Sequence, residues 1–172
     1  MVLLAGGLAP AFCAAAEPVS EDELKAAYVY HFAQLTEWPA GAPGAGLAPF
    51  LLCILGRDTP HPAFAALRGK TAHGRRIELR AVADAAQARA CDALYVAASG
   101  AAPLQDVVAA LSQVPVLTIA DAETPAAESA IITLVPREAR IGFHINLDAA
   151  RRSGLRISAR LLRLALSVKG AP

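Results

Sequence analysis

The sequence predicts an α/β fold: a single compact domain with a largely parallel, Rossmann-like sheet, flanked by helices and finished at one edge by an antiparallel hairpin. Short apolar runs alternate with helical segments from Phe50 to Ala120, the order that crossover connections between parallel strands produce. Two later runs, "AIITLVP" and "RIGFHINL", meet across a few residues around Pro136, Arg137 and Glu138, too short a link for a crossover and well suited to a hairpin. The 172 residues, 55% of them hydrophobic, are enough for one domain with a sizeable core.

The chain opens with "MVLLAGGLAPAFCAAAEPV", apolar and small, and Ala14-Ala15-Ala16 has the small-x-small form that a signal peptidase accepts. Residues 1–16 therefore read as a secretion signal and 17–172 as the mature domain, although no Lys or Arg precedes Lys25 to make a basic n-region. Phe12 stands where a lipoprotein signal needs a small residue. No other stretch approaches the ~20 apolar residues of a membrane span, so the mature chain is expected to be soluble.

In "SEDELKAAYVYHFAQLTEWP", Ser20 and Glu23 have the spacing of a capping box, which starts a helix. Leu24, Ala27, Tyr28, Val29, Phe32 and Leu35 recur at helical spacing until Pro39 ends the pattern. After the loop "AGAPGAGLAP" come four expected strands: "FLLCILG" from Phe50, "RIELRAV" from Arg76, "DALYVAA" from Asp92 and "VPVLTIA" from Val114. Helices are expected between them at Pro62 to Leu67, Asp84 to Arg89 and Pro103 to Ser112. The hairpin follows, then a final helix from about Ser158 to Val168.

Most familiar chemistries fail on spacing. Gly69-Lys70-Thr71 resembles the tail of a phosphate-binding loop, but the first glycine of that motif falls on Phe64 and the segment runs from helix to strand, the reverse of the required order. The glycines of "GAPGAG" precede the first strand and carry no dinucleotide fingerprint. His31, His61, His73 and His144 show no paired spacing for a metal, and Ser99 lacks the Gly-x-Ser-x-Gly elbow of a serine nucleophile. No base, nucleophile and orienting group converge, so no catalytic residue, metal or cofactor is assigned. With 16 basic and 15 acidic residues, the broad positive field of a nucleic-acid-binding protein is missing too.

Cys53 falls within the first strand and Cys91 just before the third. In a doubly wound sheet of order 2-1-3 those strands are neighbours, so the pair either forms a bridge or fills the core as two buried thiols; an oxidising compartment favours the bridge. On the expected last helix, Ile157, Leu161, Leu164, Ala165 and Val168 share one face and Arg156, Arg160 and Arg163 another, the pattern of a surface helix docked on a core, with Leu162 outside the apolar face. Gly154 marks a chain reversal that brings Leu155 and Ile157 close to a turn. Among functional readings of this segment, contact with another protein fits best, since the aromatic wedges of a membrane-surface helix are missing.

Taken together, "LKAAYVYHFAQLTEWP", "CILGRD", "LRGKTAHGRRIELR", "CDALYVAAS", "VLTIAD" and "IGFHINLDAARRSGLRISARLLRLA" resemble the YfiR family of periplasmic proteins, from about Leu24 to Val168. That resemblance implies a non-enzymatic, dimeric regulator that binds the periplasmic sensor region of a membrane-bound diguanylate cyclase. It would hold cyclic-di-GMP synthesis down until an outer-membrane lipoprotein sequesters it. The resemblance also implies a disulfide at Cys53 and Cys91, and no second one nearer the C-terminus, because no cysteine follows Cys91. On the matching C-terminal block the partner contact is expected at Phe143, Ile145, Leu155 and Ile157, rimmed by Arg151 and Arg152. The competing reading is a small-molecule sensory module with a pocket near Gly56, Arg57 and Ser99, at the carboxyl ends of the strands.

Overall fold

Ser20 begins the ordered fold as the sequence predicts. In the computed structural model its hydroxyl accepts from the Glu23 N–H at 3.2 Å, while the Glu23 carboxylate accepts from the Ser20 N–H at 2.7 Å. Both ends of the capping box are thus closed, and α1 (Glu21–Gln34) starts there. The structure describes residues 19–42, 48–56, 61–97, 103–138 and 140–170; the expected signal segment, Arg57 and Ser99 lie outside them.

From α1 the chain makes β1 (Thr36–Glu37), then β2 (Phe50–Leu55), α2 (Pro62–Ala65), β3 (Thr71–Ala72) and β4 (Arg75–Val82). It continues through α3 (Ala85–Ala88), β5 (Ala93–Val96), α4 (Leu104–Leu111) and β6 (Leu117–Asp121). A 3₁₀ turn (Ala127–Ser129) leads into β7 (Ile132–Arg137) and β8 (Arg140–Asn146), followed by α5 (Leu147–Arg152), β9 (Arg156–Ile157), α6 (Ala159–Leu162) and β10 (Ser167–Lys169).

One eight-stranded sheet runs in the order β10-β8-β7-β6-β5-β2-β4-β3. Its centre is parallel throughout, and the β7–β8 pair is antiparallel, as the short link between those two runs requires. Side chains alternate across the pleat and so divide the core. Ala93 and Tyr95 point to the face covered by α1, α2, α5 and α6, while Leu94 and Val96 point to the face covered by α3 and α4. Thr36 and Glu37 pair with Ile157 and Arg156 in a separate two-stranded ribbon, which ties the end of α1 to the C-terminal segment.

Three local departures from expectation have physical causes. First, β4 starts one residue early and is preceded by β3 in a tight hairpin. His73 and Gly74 both take positive φ (50° and 74°), the backbone that matches a two-residue turn to the twist of its strands. Second, Leu147–Arg152 is helical: the Asn146 side chain accepts from the Ala149 N–H at 3.0 Å and caps α5. Third, the expected helix from Ser158 to Val168 is corrected. Ser158 does cap a helix, but α6 stops at Leu162, the chain crosses back, and Leu166 N–H donates to the Phe143 carbonyl at 2.8 Å. Ser167, Val168 and Lys169 then lie parallel to His144, Ile145 and Asn146. A helix here would leave the outer edge of β8 with unpaired backbone groups, which pairing with β10 satisfies.

Candidate interaction surface

Two polar clusters in the core come first, since buried charges at strand ends are where catalysis would start. At the carboxyl end of the sheet, Asp121 accepts from the Tyr95 hydroxyl at 2.8 Å and pairs with Lys25 at 3.2 Å; Lys25 also reaches Glu21 at 2.8 Å. Burial alone would lower the Lys25 pKa, but its hydrogen bond to Glu21 and the charge of Asp121 outweigh that, and the pKa is raised. The ammonium thus stays charged and pins α1 to β5 and β6. At the opposite end, Arg75 makes a two-pronged pair with Asp92, each bond 2.8 Å, and Asp92 also accepts from the Leu51 N–H. Arg75 reaches back to the carbonyls of Ala48 and Pro49, which fastens the entry to β2. Both clusters satisfy their own members and join elements of the fold.

β2 and β5 are neighbours, and Cys53 and Cys91 are joined in a disulfide with Cα atoms 6.0 Å apart. Both cysteines are buried among α3, α4 and the sheet. Lys70, from the phosphate-loop-like segment, sits 5.2 Å over the Tyr30 ring beside a surface turn at Gly69. Among the described residues no group of three or more His, Cys, Asp or Glu side chains could hold a metal, and no helix is long and apolar enough to cross a membrane.

The six residues expected at a partner contact divide. Phe143, Ile145 and Leu155 are buried in the chain's own core, 2–3% exposed, and Phe143 stacks edge-on against Phe32 with ring centres 4.9 Å apart. They are therefore not the open apolar centre that the sequence alone points to; the alternation of β8 turns them inward. Ile157 is half-buried in β9, and Arg151 and Arg152 are exposed at the end of α5. Arg151 donates to the Gly170 carbonyl at 2.7 Å and so also holds the C-terminal strand.

An open apolar surface does exist, a few residues away. Leu164 and Leu166, 63% and 43% exposed, are two of only three large hydrophobic side chains so exposed among the described residues. With Tyr28, Ile141 and Phe143 they line a groove of about 910 Å³ whose other wall is Arg137, Glu138 and Arg140 at the tip of the β7–β8 hairpin. Gly142 forms part of its floor: a Cβ there would lie 2.5 Å from Leu166 Cδ1, so the leucine lies directly over the glycine. The surroundings are cationic. Residues 137–172 hold eight Lys and Arg against two acids, whereas the first 136 residues hold eight against thirteen. That tally, and the small residue between Ile141 and Phe143, were the available sequence signals for this groove.

A family model described as YfiR/HmsC-like matches residues 22–166, well over half of the chain. The chain belongs to the YfiR/HmsC-like family. Among solved structures, a conserved domain protein from Vibrio cholerae O1 biovar eltor superposes with a TM-score of 0.51 at 14% identity, covering 88% of this chain. The match spans 61% of that protein's length, and at this identity it speaks to the fold alone. The superposition and the sheet order agree on a mostly parallel α/β architecture with an antiparallel edge pair, as the sequence predicts. Within the matched residues of this chain, Ile141 to Leu166 carries most of β8, all of α5, β9 and α6, and part of the groove.

Proposed function

We propose that this protein is a periplasmic, non-enzymatic regulator that binds the periplasmic sensor region of a membrane-bound diguanylate cyclase and represses cyclic-di-GMP synthesis, limiting exopolysaccharide and biofilm. The observation that carries this reading is the match to the YfiR/HmsC-like family across residues 22–166. The interior supports it: the buried charges of Lys25, Asp121, Arg75 and Asp92 are spent on pairing with one another, and the exposed functional groups are arginines and leucines around a groove. That is an inventory for contact with protein.

Repression is then a matter of differential affinity. The regulator must bind the inactive conformation of the sensor more tightly than the active one, by about 5 kcal/mol to move a mostly active population to a mostly inactive one. Sequestration by an outer-membrane lipoprotein would lower the free concentration of the regulator and release the cyclase, and a homodimer would present two such surfaces. Arg151, Arg152 and the open side of Ile157 remain within reach of a partner, and Ile157 packs against the core cluster that holds Phe143, Ile145 and Leu155.

The test is cellular cyclic-di-GMP in a strain lacking the gene, beside one restored with the exported chain. The reading expects a rise on deletion that restoration reverses; equal levels across growth conditions would overturn it.

A further inference from the structure

We propose that the groove beside β8 is a docking cleft for an extended acidic segment of a partner protein, anchored by one apolar side chain of that segment; this deepens the regulator reading above and rests on it. The anchor's place is given by Leu164 and Leu166, exposed leucines that with Tyr28 and Ile141 line a concavity of about 910 Å³. Apolar surface left open in this way beside arginines marks a contact site more often than idle surface.

The charge of the occupant follows from its rim. Arg137 and Arg140 outnumber Glu138 on that rim and form no ion pair among the described residues, and along the sequence the segment from residue 137 onward carries an excess of six positive charges while the rest of the chain carries an excess of five negative ones. An acidic segment is drawn to the arginines of this rim and to the cationic segment they open, which orients the encounter.

Two other occupants fit less well. A second copy docked across a twofold axis would set this patch against itself and bring two net-positive rims together. A lipid surface takes a protruding apolar face, often with aromatic wedges, whereas these leucines wall a trough.

The experiment uses the full exported chain and, as probe, a fluorescein-labelled twelve-residue peptide of alternating glutamate and leucine, with its lysine-for-glutamate counterpart as control, read by fluorescence anisotropy. The acidic peptide should bind and the basic one should not. Leu164→Asp, at a position exposed enough to leave folding intact, should weaken binding at least about tenfold, as should Arg137→Glu with Arg140→Glu. Arg76→Glu with Arg80→Glu, an equal charge change on β4, should shift it less than about threefold, since those arginines lie off the groove. Thermal midpoints of all variants are measured alongside. No binding of the acidic peptide, or equal loss in the β4 control, overturns the cleft. So do binding to phosphatidylglycerol vesicles without peptide binding, and a concentration-dependent dimer that Leu164→Asp dissolves.

In the deletion strain, the wild-type chain should lower cyclic-di-GMP and Leu164→Asp should not. If both lower it, the cleft is overturned while the regulator reading stands. If neither does but the peptide result holds, the regulator reading fails and the cleft survives as a binding site.

Discussion

Lys25 carries a positive charge into the interior between α1 and the sheet, where Asp121 and Glu21 receive it. Replacing Lys25 with Met leaves Asp121 charged and buried with the Tyr95 hydroxyl as its remaining visible donor, and losing one member of such a pair costs about 3 kcal/mol. Urea unfolding at pH 7 checks this. The pH dependence has a definite sign. The folded-state pKa of Lys25 is raised above its unfolded value, so its contribution is fully present below about pH 10.4 and is lost as pH rises through the folded value. The gap between wild type and Lys25→Met should therefore be constant near neutrality and shrink in strong alkali. At the disulfide, the two buried sulfurs close a loop of 38 residues, which the chain-entropy model values at about 4 kcal/mol. Changing both Cys53 and Cys91 to Ala should lower stability by roughly that amount. Thiol titration of the unreduced protein should find neither cysteine even after denaturation, and a free thiol at either one would contradict the bridge.

At the scale of elements, what the sequence made legible follows from where the information lies. The start of α1 could be read because its signal is local, in Ser20, Glu23 and the apolar period from Leu24; its end could not, since the helix stops at Gln34 and Thr36–Glu37 pair with β9 before Pro39 is reached. The last segment could not. Ser158 starts a helix as read, and Leu161 is buried as read, but whether the chain stays helical past Leu162 is settled by the open edge of β8, which lies in the fold and not in the segment. For the same reason Leu164, assigned to the buried face by helical spacing, is exposed, while Leu162, set outside that face, packs on the core. The residues expected at the partner contact divide for a related reason: Phe143 and Ile145 were read as an apolar centre, and strand alternation turns both inward and leaves Gly142 and His144 outward. Leu166→Pro tests the β10 account. It removes the N–H that donates to the Phe143 carbonyl, and leaving that acceptor unpaired should lower stability by about 2 kcal/mol. Thermal unfolding with light scattering would show the lower midpoint and the association of a freed β8 edge.

For the whole molecule, the order of the long strands at the centre of the sheet was legible, because the connections between them are short and right-handedness leaves few arrangements, whereas the outer strands β3 and β10 were not. The order β4-β2-β5-β6 places the second, first, third and fourth long strands side by side, and with it Cys53 beside Cys91. The groove was not legible, since it joins α1, the β7–β8 hairpin and the chain after α6, which are far apart in sequence. The charge asymmetry between the first 136 residues and the remainder could be read in advance, and the remainder supplies the two arginines on the rim of the groove, which suit an acidic partner. The central claim is that this arginine-rimmed, leucine-bearing groove serves to repress a membrane cyclase. The most direct measurement is the conversion of GTP to cyclic-di-GMP by membranes from the deletion strain, titrated with the purified exported chain under conditions that let it reach the periplasmic face. The account predicts a saturable fall in the rate, absent when Leu164→Asp is added in its place. A rate that stays flat across the titration, with cyclase activity present and the protein folded, would contradict it.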